Sequence, residues 1–476
     1  MVNNTTNQSI GKKTLIYFIG NFGSKMIGTL IIPIYAIYLT ASEVGQYDFQ
    51  ITIAQFLSPI LVLAIWEGLL RFAISDEKEQ VDDILSTTLL FSIILLLVST
   101  LILSLVYSST IVSVGKEWFL YVLMIVLTPL VSIFQYMTRS LKMNIIYMQS
   151  GIYSSVVNIL LIVLFVVLMK LGLIGLLLSC FLTQIFSILF MGMRIKIWQH
   201  VSIKLFSLSI LKGLLGYSAP LIFNLVFVWF LNGYSRFFIN WKLGTAANGT
   251  FAFGLKFAGI LAMFGSVIAM AAIEDAILTF KDDDFIKRFQ KNINHIFSLM
   301  LQASLVIIPI IGIGYAFISN QDFSDSLNFV PIVVLATIFM NMSTNVGNIF
   351  NVFGQTGKIF LTSFIAGLVN VVFSFILVLS LGVLGVAISY MLGALSLLIS
   401  RYYMGRKIEN YSVNIKMLAV LVLTYCVVSV LVIQRLIWLD VMLFIILSMA
   451  ILYYNRTLVK STVHKIVKGV KNYVHD

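Results

Sequence analysis

Arg236 and Lys256 each stand well inside a stretch apolar enough to cross a bilayer, 217–242 and 249–274. A cation facing lipid costs a few kcal/mol or more, so such residues turn to a partner or a watered cavity. An earlier pair of stretches has the same layout: 21–39 carries Lys25, and 45–71 closes on Arg71. Arginine offers a planar fork for two-point contact with phosphate, and lysine a mobile point charge. Lys25, Arg71, Arg236 and Lys256 are therefore candidate contacts for an anion carrying one or more phosphates. The competing reading for each is a structural ion pair or a side chain snorkelling to the interface.

Carboxylates are fewer. Asp48 opens the second stretch, Glu67 stands near its end, and Glu274 closes the fourth. Intramembrane carboxylates can carry a coupling proton or sodium ion, so these three are the candidates for ion coupling. Glu67 and Arg71 are four residues apart, the spacing of a local helical ion pair. Pro33 and Pro220 each fall in the first crossing segment of one half of the chain, where a missing backbone hydrogen bond suits a hinge. Four histidines, together with Cys180 and Cys426, show no metal-ligand or redox spacing, so neither a metal nor a cofactor is expected.

The elements that must position these residues are set by composition. The chain has 476 residues, 60% hydrophobic and 11% charged, with a mean hydropathy of +1.02. That much apolar surface excludes a soluble globular domain. A crossing needs about 20 residues, and fourteen such stretches run from 14–38 to 437–454. The first follows Lys12-Lys13 and is too long for a cleavable signal. With the N-terminus inside, all but seven of the 31 Lys and Arg fall in inner segments, as the positive-inside rule requires. Both termini are expected in the cytoplasm. The net charge of +12 then reflects topology, and nucleic acid is not an expected partner. The tail 456–476, with Lys460, Lys465, Lys468 and Lys471 between regularly spaced apolar residues, reads as an amphipathic helix on the anionic inner leaflet.

The chain also repeats itself. Leu39-Thr-Ala-Ser-Glu-Val-Gly45-Gln-Tyr47 aligns with Leu243-Gly-Thr-Ala-Ala-Asn-Gly249-Thr-Phe251. Leu171-Gly-Leu-Ile-Gly175 aligns with Leu381-Gly-Val-Leu-Gly385, and Asn158 with Asn370. The expected fold is all-α, a polytopic membrane protein with 14 transmembrane helices. It comprises a six-helix bundle in 1–200, its repeat in 201–410, two further helices in 411–455 and the tail. Two parallel bundles with a shared central cavity is the construction of many alternating-access transporters.

These residues carry a family resemblance across the whole chain. The Asn21…Pro33…Gly45-Gln-Tyr47 opening, the Glu67…Arg71 exit, the Pro220…Arg236…Gly249…Lys256 second opening and the Leu-Gly-x-x-Gly turns resemble Wzx-type oligosaccharide flippases. Those proteins serve bacterial surface polysaccharide synthesis, O-antigen or capsule, within the multidrug/oligosaccharidyl-lipid/polysaccharide superfamily. The resemblance implies alternating-access transfer of undecaprenyl-diphosphate-linked oligosaccharide from the inner to the outer leaflet of the bacterial cytoplasmic membrane. It implies membrane lipids, polysaccharide polymerase and glycosyltransferases as partners. The last two spans would flank a groove for the prenyl tail. Many members place Asp before the arginine of span seven, where this chain has Ser235, which argues against a fixed acid–base pair there. Close variants are a lipid II flippase and a drug–cation antiporter, the latter wanting a more acidic cleft. A membrane polysaccharide polymerase would need a sizeable outer loop, so the chain is not expected to be an enzyme.

Overall fold

The computed structural model describes residues 30–75, 80–108, 115, 117–279 and 284–456. Lys25 and the tail beyond Arg456 lie outside the described residues, as does the side chain of Glu274. The described chain is all-α, 89% helical with no strand. Among the described residues, eleven helices are long and apolar enough to span a membrane, or twelve with one bent pair counted as a span. In chain order the main helices are α1 Ile31–Tyr38, α2 Ala41–Leu61, α3 Ile65–Ser75, α4 Val81–Ser108, α5 Trp118–Ser140, α6 Asn144–Ile162 and α7 Gly172–Arg194. They continue as α8 Leu208–Leu243, α9 Thr245–Thr279, α10 Phe285–Tyr315, α11 Val330–Val352, α12 Thr356–Arg406, α13 Ile415–Ile433 and α14 Ile437–Tyr454.

Local sequence accounts for the ends and breaks. Thr40 and Glu43 form a capping box that starts α2, satisfying two of the amides a helix N-terminus leaves unpaired. α2 and α3 belong to one stretch bent by 59°; the bend follows Pro59 and passes through Leu63 and Ala64, both at positive φ. α12 would be a rod about 75 Å long against about 30 Å of hydrocarbon, and Gly382 breaks it at φ 55. Gly172 occupies the matching place in the first copy at φ 52. Side chains rarely adopt this conformation, so the Leu-Gly-x-x-Gly motif makes the same turn twice. Ser179 and Ser389 then donate back to the carbonyls of Gly175 and Gly385, at 2.7 and 2.8 Å. The repeat seen in the sequence is thus a repeat of backbone geometry.

The chain forms two compact units, Met1–Phe285 with Asn320–Asn410, and Ile286–Ser319 with Tyr411–Asp476. In the first, Val62, Ile65, Leu69, Ile84, Ile133 and Met137 are among the apolar core residues. In the second, amides of α10 hold the chain leading into α13: Asn294 donates to Ser412 O at 3.2 Å and accepts from Asn414 N at 2.7 Å. Asn455 donates to Gln302 at 2.6 Å. α10, α13 and α14 line an open cavity of about 620 Å³, with Gln302, Asn414 and Lys416 among its polar lining and Leu305, Val420 and Leu447 among its apolar lining.

Arginines close several helices by lying over an aromatic ring of the preceding turn: Arg139 over Tyr136, Arg194 over Phe190, Arg406 over Tyr402 and Arg456 over Tyr453. This arrangement suits an apolar body with a charged tip at a membrane surface. Arg401 departs from its expected place in an inner loop. It is 8% exposed, donating to Ser343 O at 3.1 Å and to Thr362 and Ser363 hydroxyls at 3.4 Å.

Candidate functional site

The two copies of the aligned segment meet each other directly. A Cβ on Gly45 would overlap the Thr245 carbonyl, and one on Gly249 would overlap the Ala41 carbonyl. Glycine at both positions lets α2 and α9 cross backbone to backbone. Around the crossing, Ser42 Oγ and Thr245 Oγ1 lie 3.0 Å apart, and Asn248 Nδ2 donates to Gly45 O at 2.9 Å. Asp322 accepts from the amide of Ala41 at 3.2 Å, and Asn320 donates to Leu39 O at 3.1 Å. This clasp joins the halves through polar contacts that can break and re-form.

One turn along α2 from Gly45, Asp48 faces α8. Arg236 Nη1 lies 3.5 Å from its Oδ1, so the first half supplies an acid to the arginine of the second. The acid near Arg236 thus comes from the other half of the repeat, while Ser235 accepts from Asn370 at 3.3 Å in a buried neutral contact. Lys256 approaches from α9 with Nζ 4.5 Å from the centre of the Tyr35 ring; Asp48 and Arg236 both act on it electrostatically. A turn further on, Trp229 Nε1 donates to Thr52 O at 2.9 Å and its ring lies 4.6 Å from that of Phe56. Residues 45, 48, 52 and 56 share one face of α2 by helical spacing, which is how clasp, ion pair and aromatic contact fall in line.

The structure brings Arg236, Lys256 and Asp48 together and leaves Arg71 and Glu67 elsewhere. Arg71 is exposed, its guanidinium 4.3 Å from the centre of the Tyr217 ring. Tyr217 precedes Arg236 by nineteen residues of unbroken α8, about 28 Å along the axis, so these two arginines cannot share one diphosphate. The expected Glu67–Arg71 pair does not form. Glu67 Oε1 instead accepts from Tyr136 at 2.9 Å and Trp66 Nε1 at 3.2 Å, turning toward α5 while Arg71 turns toward α8. Glu67 thus anchors α3 to the first half, and the Gly68 amide ties it to Ser218 of the second at 3.0 Å. Pro220 lies within an unbroken α8 and Pro33 near the start of α1.

Neither residue type nor spacing singles out Tyr35, Trp229, Asn248 or Asp322. Gly45 and Gly249 did carry a signal: paired small residues in aligned copies mark where a repeat can touch its twin. Among the described residues no group of three His, Cys, Asp or Glu could hold a metal ion.

A family model described as polysaccharide biosynthesis protein matches residues 10–273, more than half of the chain. Among solved structures, the chain is similar to the lipid II flippase MurJ in an inward closed conformation, at TM-score 0.61 and 16% identity over 93% of this chain and 100% of that one. It is also similar to an inward-facing multidrug resistance MATE family transporter of the MOP superfamily, at TM-score 0.59 and 18% identity over 83% of this chain and 94% of that one. At these identities the likeness is one of fold. No curated protein matches the chain.

Proposed function

The chain belongs to the polysaccharide biosynthesis protein family, and from that premise we propose that it translocates undecaprenyl-diphosphate-linked oligosaccharide from the inner to the outer leaflet of a bacterial cytoplasmic membrane by alternating access. The observation that carries this reading is the meeting of Arg236 and Lys256, from the second copy, with Tyr35 and the carboxylate of Asp48, from the first. Among the described residues, two cations against one anion leave a net positive charge inside an apolar protein, which favours a phosphorylated head over a cationic drug. Arg71, exposed at the other end of the α3–α8 contact, serves as an earlier stop for the same head group.

The arginine-over-ring ends of α5, α7, α12 and α14 support an inner location for those ends and so for both termini. In that orientation the clasp at Gly45 and Gly249 is the outer gate. The cavity among α10, α13 and α14 accepts part of a prenyl chain, its Lys416 end toward the inner head groups. Lipid II is the second reading; it presents the same class of prenyl diphosphate to the site, and sugar identity would separate the two.

The test is leaflet reorientation of lipid-linked oligosaccharide in proteoliposomes. Losing hydrogen bonds to a charged partner costs about 1.5–3 kcal/mol, so Arg236→Ala is expected to slow reorientation roughly ten- to a hundredfold. Arg236→Lys keeps the charge without the fork and should fall between. An Arg236→Ala protein that transports at the wild-type rate would remove the site from consideration.

A further inference from the structure

Resting on the reading of Arg236 and Lys256 as a phosphate site, we propose that Asp48 is a displaceable counter-anion that sets how readily the head group leaves. The contact between Asp48 and Arg236 is a loose one. It consists of one nitrogen and one oxygen at 3.5 Å, whereas a committed arginine–carboxylate pair is a fork at about 2.7–2.9 Å. Asp48 Oδ2 and Arg236 Nε are both buried and have no hydrogen-bond partner among the described residues. The guanidinium therefore keeps donor capacity that the carboxylate does not use, and a tetrahedral phosphate could use it.

The local charges give this looseness a function. Among the described residues Lys256 has no carboxylate within 4.0 Å, its ammonium lying against the Tyr35 ring. A diphosphate carrying about two negative charges neutralises Arg236 and Lys256 and makes Asp48 the surplus anion. Asp48 then repels the ligand it has yielded to. A carrier that gains affinity equally in every state gains no rate, since the cargo must also leave. Asp48 limits affinity in this way and recloses on Arg236 when the phosphate goes. Its place on α2, one turn from Gly45, puts the exchange beside the clasp that must part.

The experiment uses the full chain in phosphatidylcholine nanodiscs with radiolabelled geranylgeranyl diphosphate as probe, and proteoliposomes for flux. Asp48→Asn is expected to bind the probe roughly tenfold more tightly than wild type, about 1.4 kcal/mol, while reorientation at saturating substrate falls. Asp48→Glu should stay close to wild type. If Asp48→Asn does not fold, Asp48→Ser tests the same shift in affinity. Unchanged or weaker binding in the neutral variants, with Arg236→Ala still weakening it, overturns the role of Asp48 and leaves the phosphate site standing. Unchanged affinity with loss of response to a proton or sodium gradient makes Asp48 a coupling carboxylate and likewise overturns the proposal. Binding indifferent to Arg236→Ala instead defeats the phosphate site itself.

Discussion

Oxidising the double variant Ser42→Cys, Thr245→Cys, in a background of Cys180→Ala and Cys426→Ala, is expected to stop translocation almost completely, with reductant restoring it. The native hydroxyl oxygens are 3.0 Å apart, so sulfur atoms at these positions fall within reach of a disulfide without a large backbone shift. The bond would fasten α2 to α9 at a contact otherwise held by hydrogen bonds worth about 1 kcal/mol each. An equilibrium between two conformations usually turns on a few kcal/mol, whereas a covalent link removes one of them. Reorientation should drop at least about a hundredfold on oxidation. A cross-linked protein that transports as fast as the reduced one would mean that the clasp never parts, and the outer gate would have to be sought elsewhere.

Gly249→Leu is expected to have nearly as large an effect in the opposite sense. The position meets the Ala41 carbonyl and the Gly45 amide of the facing helix, backbone atoms that cannot rotate aside. A side chain there must push α2 and α9 apart, and overpacking of this kind costs about 1–3 kcal/mol or more. The strain falls on the closed clasp alone, so the population moves away from it. Cross-linking yield of the Ser42→Cys, Thr245→Cys pair should fall roughly tenfold in this variant, with transport falling too. Gly249→Ala should lie between the two. Melting temperature serves as the control for folding, and undiminished cross-linking in Gly249→Leu would show that the crossing is less close than these contacts require.

Much of the architecture could be read from the residues alone, because hydropathy and repeat spacing act along the chain. The helices and the repeated Leu-Gly turn were legible that way, as was the place of Arg236 and Lys256 within long apolar helices. The partners were not. Asp48 reads as the start of a span, and its cation arrives from a helix in the other half. Glu67 and Arg71 have ideal spacing for each other, yet each finds a better neighbour on a different helix. Arg401 counts among inner-loop charges by position, but the hydroxyls of Thr362 and Ser363 and the Ser343 carbonyl draw it inside. The bend after Leu61 was hidden because Leu63 and Ala64, residue types that rarely take positive φ, occupy it. Periodicity tells which residues share a helix face; it does not tell which helices meet.

The reciprocal contact of Ala41 and Gly45 with Thr245 and Gly249 has an ancestral consequence. Each residue touches the counterpart of its own neighbour, which is the pattern of an isologous, self-complementary patch. Two separate half-length chains carrying this segment would associate through it as a twofold homodimer. Within one polypeptide the two copies need not be identical, and here the acid, Asp48, stands on one side and the bases, Arg236 and Lys256, on the other.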